Sequence, residues 1–318
     1  MFKLLITVRN FEKRFPEALR YLRENGAEIT FCPQLAQLSP DEKRAVLADK
    51  EALFVAGERC GRELLDLAEN VRILSRMGSG MDGVDLEYCK SRGICVTNSK
   101  GCNAAAVAEM TLMLILASLR GLNKLYRIAS QGRWEERYAG KQLQGKTVGL
   151  LGFGQIAQKL AELLIPFGVK IIASDPYMNH GRAAELGVKP CDLAALLAEA
   201  DILSVHIPAL KENVGMFHGD AFAQMKDGAV FINCARGALV DEEALYQALE
   251  SGKLYAAASD VFVTDPVQPH HKLFYLPNFI GTPHEAGMTL ESAYADSMAV
   301  ATSIAAFMRG EEPGYRVV

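Results

Sequence analysis

The chain has 318 residues, half of them apolar, with 34 lysines and arginines against 38 aspartates and glutamates. That length suits two domains with sizeable cores, and the mild, evenly spread acidity excludes a basic stripe for nucleic acid. Seven cysteines, an odd number with no C-x-x-C pair, argue for reduced thiols in a cytoplasmic protein and against a disulfide frame or a zinc site.

In chain order, β-rich apolar runs are predicted at residues 3–8, 27–31, 52–56, 72–75 and 94–97, with helices over 16–24, 41–48 and 62–69 between them. Pro16 suits a first helical turn, and Gly26, Gly57 and Gly93 punctuate element ends. The first run reads as a buried strand and lacks the charged-then-apolar layout of a signal peptide. Residues 107–119 are apolar, but Glu109 interrupts them and Arg120 closes them; the run is too short for a bilayer and is predicted as a buried helix. A second series of strands is predicted at 147–151, 169–174, 202–206, 229–233, 256–261 and 279–281. These are apolar on both faces, as parallel strands under two helix layers must be. Strands and helices alternate throughout, so the predicted fold class is α/β with two doubly wound parallel sheets. The last helix, 290–309, is expected to return to the first domain. Residues 1–100 with 288–318 would then form one domain and 101–287 a second one inserted into it, with crossings near 99–101 and 284–288. A double crossing makes a hinge, and the cleft it closes is the expected place for chemistry.

The strongest local motif is Gly152-Phe153-Gly154-Gln155-Ile156-Ala157. It follows a predicted strand and opens a helix with apolar residues at Ile156, Leu160, Leu163, Leu164 and Phe167, the context that dinucleotide binding requires. Gly152 permits a tight turn, Gly154 lets the backbone approach a pyrophosphate, and Ala157 fills the third small position. The helix N-terminus offers N–H groups to phosphates. The next strand ends at Asp175, whose carboxylate would accept ribose hydroxyls and repel a 2′-phosphate, so the cofactor predicted is NAD and not NADP.

Three segments of the second series end at strand termini and carry chemical groups. Arg236 follows Asn233-Cys234-Ala235 and would hold a carboxylate bidentately. Asp265 lies in the turn that begins at Asp260 and runs to Pro266. His284 follows Thr282-Pro283; a histidine suits proton donation to a carbonyl oxygen near neutral pH. Taken singly, Arg236 also reads as a surface arginine near a helix start, Asp265 reads more readily as part of a solvated acidic turn, and a lone histidine is usually structural. The adjacent His270 and His271 are not read as a metal site, and no metal is predicted.

Taken together, these segments resemble the D-isomer-specific 2-hydroxyacid dehydrogenase family over essentially the whole chain. The resemblance includes Arg76-Met77-Gly78-Ser79-Gly80-Met81-Asp82-Gly83-Val84-Asp85, similar to the family's substrate loop. It also includes Gly101-Cys102-Asn103 through Val107-Ala108-Glu109, and His206-Ile207-Pro208, which is similar to a loop beside the nicotinamide ribose. The family implies a Rossmann NAD-binding domain inserted in a flavodoxin-like substrate domain, in a short phosphoglycerate dehydrogenase-like form with no regulatory domain. It implies hydride exchange between NAD and a D-2-hydroxy acid, 3-phosphoglycerate being one candidate.

Carried onto this sequence, the resemblance makes Arg236 the carboxylate ligand, His284 the acid–base and Asp265 its partner, where the family has glutamate. One methylene fewer means either a shifted backbone or a bridging water. Cofactor contacts are implied for Gly152, Gly154, Gln155, Ile156, Asp175, His206, Ile207, Pro208, Cys234, Ala235, Arg236, Asp260, His284 and Gly287. Substrate contacts are implied for Gly78, Ser79 and Gly80, with Arg236 and His284. Glu285 is expected to face solvent, and Ala56 stands where phosphoglycerate enzymes tend to place an arginine. The region from Ala104 to Trp134 is expected to form a homodimer. A dinucleotide-sensing corepressor of the same fold, and another Rossmann enzyme such as a methyltransferase, are the alternatives.

Overall fold

The computed structural model describes residues 1–318, which divide into two compact units. The first comprises Met1–Asn103 and Thr289–Val318. Its strands are β1 (Phe2–Ile6), β2 (Ala27–Phe31), β3 (Ala52–Val55), β4 (Ile73–Arg76) and β5 (Cys95–Thr97). All pair in parallel, in the order β2-β1-β3-β4-β5. Leu4, Leu5, Ile6 and all of β3 are fully buried, because helices cover both faces. Helix Pro16–Glu24 buries Ala18, Leu19 and Leu22, and helix Pro40–Leu47 starts on a Ser39–Glu42 capping box. Helix Leu290–Met308 packs Val300, Ala301 and Ile304 into the core that holds Leu4 and Ile6.

The second unit is Ala104–Met288. It contains β6 (Thr147–Leu151), β7 (Lys170–Ser174), β8 (Lys189–Pro190), β9 (Ile202–Val205), β10 (Ala229–Asn233), β11 (Leu254–Ser259) and β12 (Phe279–Gly281). The parallel order is β12-β11-β10-β9-β6-β7-β8, a doubly wound sheet with its crossover reversal between β6 and β9. Helix Ala104–Arg120 lays Ala108, Leu114, Ile115 and Leu119 in the core shared with helix Gln155–Leu164. No single helix in the chain is long and apolar enough to cross a membrane.

Several strand ends differ from the sequence expectation by one or two residues, β1 ending at Ile6 and not at 8, and one strand was not expected at all. The edge strand β8 has two exposed residues and no apolar run to announce it. Strand β11 runs over Leu254–Ser259 and not 256–261; just beyond it the Asp260 carboxylate accepts from the Ala286 N–H.

Candidate active site

Strands β10, β11 and β12 are neighbours, so the loops after their carboxyl ends lie side by side. After β10, buried Asn233 shapes the turn: Nδ2 donates to the Arg236 carbonyl at 2.9 Å and Oδ1 accepts from the Ala235 N–H at 3.0 Å. Arg236 is half-buried and its Nη1 donates to the Ala235 carbonyl at 2.7 Å.

After β12, the loop is organised by Asp260. Its Oδ1 accepts from Thr282 Oγ1 at 2.5 Å and from the Glu285 N–H at 3.0 Å, and its Oδ2 from the Ala286 N–H at 2.8 Å. Its carbonyl accepts from the His284 N–H at 2.8 Å. These bonds hold His284 at φ +59°, a left-handed conformation that costs a non-glycine residue roughly 1–2 kcal/mol. Sequence reasoning assigned Asp260 to the cofactor; its visible work is to build the histidine loop.

The imidazole of His284 is 55% exposed and therefore accessible to a substrate. Its Nδ1 lies 2.8 Å from Asp265 Oδ2, while Asp265 Oδ1 accepts the Phe262 N–H at 3.2 Å. The shorter acid thus reaches the histidine directly, with no water needed between them. A proton on Nδ1 facing the carboxylate leaves Nε2 for other chemistry. Glu285 is exposed.

The glycine turn fits a dinucleotide. Gly152 has φ +92°, and a Cβ there would lie 2.8 Å from the His206 carbonyl oxygen. A Cβ on Gly154 would meet nothing within 4 Å, which is the room an approaching phosphate needs. Gly154 precedes helix Gln155–Leu164, whose first turn has no side-chain cap, and Ala157 is fully buried beneath it. Asp175 is pinned at the end of β7: Oδ2 accepts the Phe153 N–H at 2.6 Å and Oδ1 the Tyr177 N–H at 2.7 Å. Beside it opens a cavity of about 600 Å³ lined by Asp175, Tyr177, Met178, His180, Pro190 and Cys191. Sequence reasoning named only Asp175 of these, since β8, which brings Pro190, carries no sequence signal. Arg182 is engaged by Glu162 and Glu185, so its charge is answered within the protein.

His206 follows β9 and bonds Ser204 Oγ through Nε2 at 2.9 Å; burial pushes the imidazole down to about 4, so it is neutral at physiological pH. Ile207 is half-buried and Pro208 exposed in the same loop. Burial pushes the Cys234 thiol up to about 12, which marks it as a packing residue beside Thr111. His270 Nδ1 bonds the Tyr275 hydroxyl while His271 bonds Glu242, so the adjacent pair serves separate partners.

In the first unit, the Gly78-Ser79-Gly80 loop leaves the carboxyl end of β4. Gly78, at φ +99°, donates its N–H to Ser99 Oγ at 2.7 Å, and Asn98 Nδ2 donates to the Ser79 carbonyl at 3.1 Å. Nearby, Glu58 accepts the Ala56 N–H at 2.8 Å, and Arg76 Nη1 donates to the Glu58 carbonyl at 3.0 Å.

Sheet, glycine turn and strand-end acid define a dinucleotide-binding α/β protein. Residues 112–286 match the family description "D-isomer specific 2-hydroxyacid dehydrogenase, NAD binding domain". The chain is 37% identical to a hydroxypyruvate reductase of Thermotoga maritima over 259 residues, 80% of this chain and 84% of that one. It is 35% identical to a D-3-phosphoglycerate dehydrogenase of Archaeoglobus fulgidus over 296 residues, 92% of this chain. That match covers 56% of the archaeal protein, so the chain spans about half the length of such relatives. The crystal structure of TT0316 protein from Thermus thermophilus superposes with a TM-score of 0.90 at 31% identity, covering all of both chains. The chain belongs to the D-isomer specific 2-hydroxyacid dehydrogenase family, a family of NAD-dependent oxidoreductases acting on CH–OH donors.

Proposed function

We propose that this chain interconverts a D-2-hydroxy acid and its 2-keto acid. The observation that carries the reading is the 2.8 Å contact of His284 Nδ1 with Asp265, on a strand-end loop two strands away from the one bearing Arg236. NAD, when bound, supplies or accepts the hydride. Gly152, Gly154, Gln155 and Ile156 would hold its phosphates and Asp175 its ribose. The loops of His206–Pro208, Cys234–Arg236, Asp260 and His284–Gly287 would flank the rest.

Arg236 holds the substrate carboxylate in a bidentate pair and draws electron density from the adjacent carbonyl. In reduction His284 gives the proton on Nε2 to the carbonyl oxygen; in oxidation it takes that proton back from the hydroxyl. Asp265 keeps the ring oriented and answers the imidazolium charge. Gly78, Ser79 and Gly80 are assigned to the substrate carboxylate on sequence resemblance. Hydroxypyruvate and 3-phosphohydroxypyruvate head the candidate substrates, on the names of the relatives. Leu122, Tyr126 and Trp134 are 55%, 70% and 75% exposed, an apolar surface that a homodimer would cover. The seven unpaired thiols suit the cytoplasm.

The test is NADH- and NADPH-dependent reduction across glyoxylate, pyruvate, hydroxypyruvate, phosphohydroxypyruvate and 2-oxoglutarate. His284→Asn and Arg236→Ala are each expected to abolish turnover on the best substrate. Wild-type turnover in either variant refutes the mechanism, and tight NADH binding without turnover on any acid favours a dinucleotide sensor.

A further inference from the structure

The loop that carries Asp265 is tied from outside by a carboxylate on another element. Glu242 opens helix Glu242–Glu250, which follows the turn Gly237–Leu239 after Arg236. Its Oε1 accepts the Val263 N–H at 2.9 Å, and its Oε2 lies 3.1 Å from His271 Nε2. One side chain therefore grips the loop two residues before Asp265 and again six residues after it. Both side chains are about four-fifths buried, at 21% and 18% exposure, so water competes weakly for the Glu242–His271 bond.

The buried Nδ1 of His271 has no hydrogen-bond partner, which fixes its proton on Nε2, toward Glu242. The His271 ring stands edge-on to Phe262 and Phe274, at 5.9 and 6.3 Å between centroids. Glu243 and Lys272 pair alongside. The turn after Arg236 is pressed on the same loop: a Cβ on Gly237 would lie 2.0 Å from the Phe262 carbonyl carbon. Helix start, arginine turn and aspartate loop are thus one packed body.

Asp265 has a short side chain, so its reach to His284 depends on where this backbone sits. A hydrogen bond weakens steeply once it stretches past about 3.5 Å. We propose that Glu242, acting with His271, is a positioning residue that sets the Asp265–His284 contact; its kinetic consequence rests on the acid–base role given to His284 above.

The experiment uses the full chain and the variants Glu242→Ala, Glu242→Gln and Asp265→Asn, with Glu242→Ala combined with Asp265→Asn. Glu242→Ala is expected to lower kcat by roughly tenfold, a part of the roughly hundredfold or more that acid–base catalysis contributes. KM for the keto acid and the affinity for NADH should change by less than about twofold, because Arg236 and the glycine turn are untouched. Glu242→Gln keeps an acceptor for the Val263 N–H and should restore most of kcat. The His284 ring resonances, followed by NMR without ligand, should move in Glu242→Ala, because the carboxylate that lies 2.8 Å from Nδ1 is displaced. In the Asp265→Asn background the second change should add nothing.

Wild-type kcat and unmoved His284 resonances in Glu242→Ala overturn the proposal. So does an effect that persists undiminished without the aspartate, or an equal loss of NADH binding. The NMR arm needs no turnover: if the wild-type chain reduces no keto acid but the His284 shift appears, the catalytic reading fails and the positioning role stands.

Discussion

Replacing Asp296 with asparagine should stabilise the first unit, and by an amount that depends on pH. Asp296 lies on helix Leu290–Met308 at 6% exposure, and its Oδ1 has no hydrogen-bond partner. Burial raises the carboxyl from 3.8 to about 6, against an opposing hydrogen bond from Ser99. The folded chain thus binds this proton more tightly than the unfolded chain does. The proton is present in both states below about pH 4; as pH rises toward 6 the unfolded chain loses it first, and folded stability falls. The gap of about two pH units corresponds to roughly 3 kcal/mol at neutral pH, taking about 1.36 kcal/mol per unit. Asparagine keeps an oxygen for the Ser99 hydroxyl and carries no charge. Urea unfolding of Asp296→Asn and wild type should differ by up to about 3 kcal/mol at pH 7 and converge near pH 4. A difference that stays flat across that range, or a variant less stable at pH 7, refutes the reasoning. Ser99 also accepts the Gly78 N–H, so the same experiment probes a residue that shapes the glycine loop.

Asp175→Ala removes the carboxylate that meets the Phe153 and Tyr177 N–H groups, and should cut the kcat/KM preference for NADH over NADPH by about tenfold or more; an unchanged ratio excludes Asp175 from cofactor choice. Gly237→Ala places a Cβ 2.0 Å from backbone atoms of Phe262, so it should cost about 1–3 kcal/mol and lower Tm along with activity. A variant with wild-type Tm would show that this contact is not a close one.

The alternation of strand and helix was legible because parallel strands buried on both faces read as continuous apolar runs, as residues 147–151 and 229–233 do. Helix 16–24 was legible from its proline start and spaced leucines. Strand β8 was not: a lysine and a proline at a sheet edge owe their conformation to Ile172 and Ala173 beside them. Of the candidate site, the placement of Gly152, Gly154 and Asp175 could be read because it follows from spacing along one βαβ unit. The partners Thr282, Glu242 and His271 could not, since an ordinary polar residue announces no partner 20 or more positions away.

The feature that sequence left open was Asp265. The residue type showed that the acid is one methylene short of the family's glutamate. Whether it still meets His284 depended on where its loop lies, and that follows from bonds to Glu242, a residue 23 positions earlier on another element. Sequence alone determined the fold class, the dinucleotide turn and the chemical types at the strand ends, because those depend on local periodicity and composition. Tertiary structure alone decided which buried polar groups find partners, from Asp260 and the histidine loop to Asp296 with Ser99, because hydrogen bonds require distances that only packing of distant segments sets.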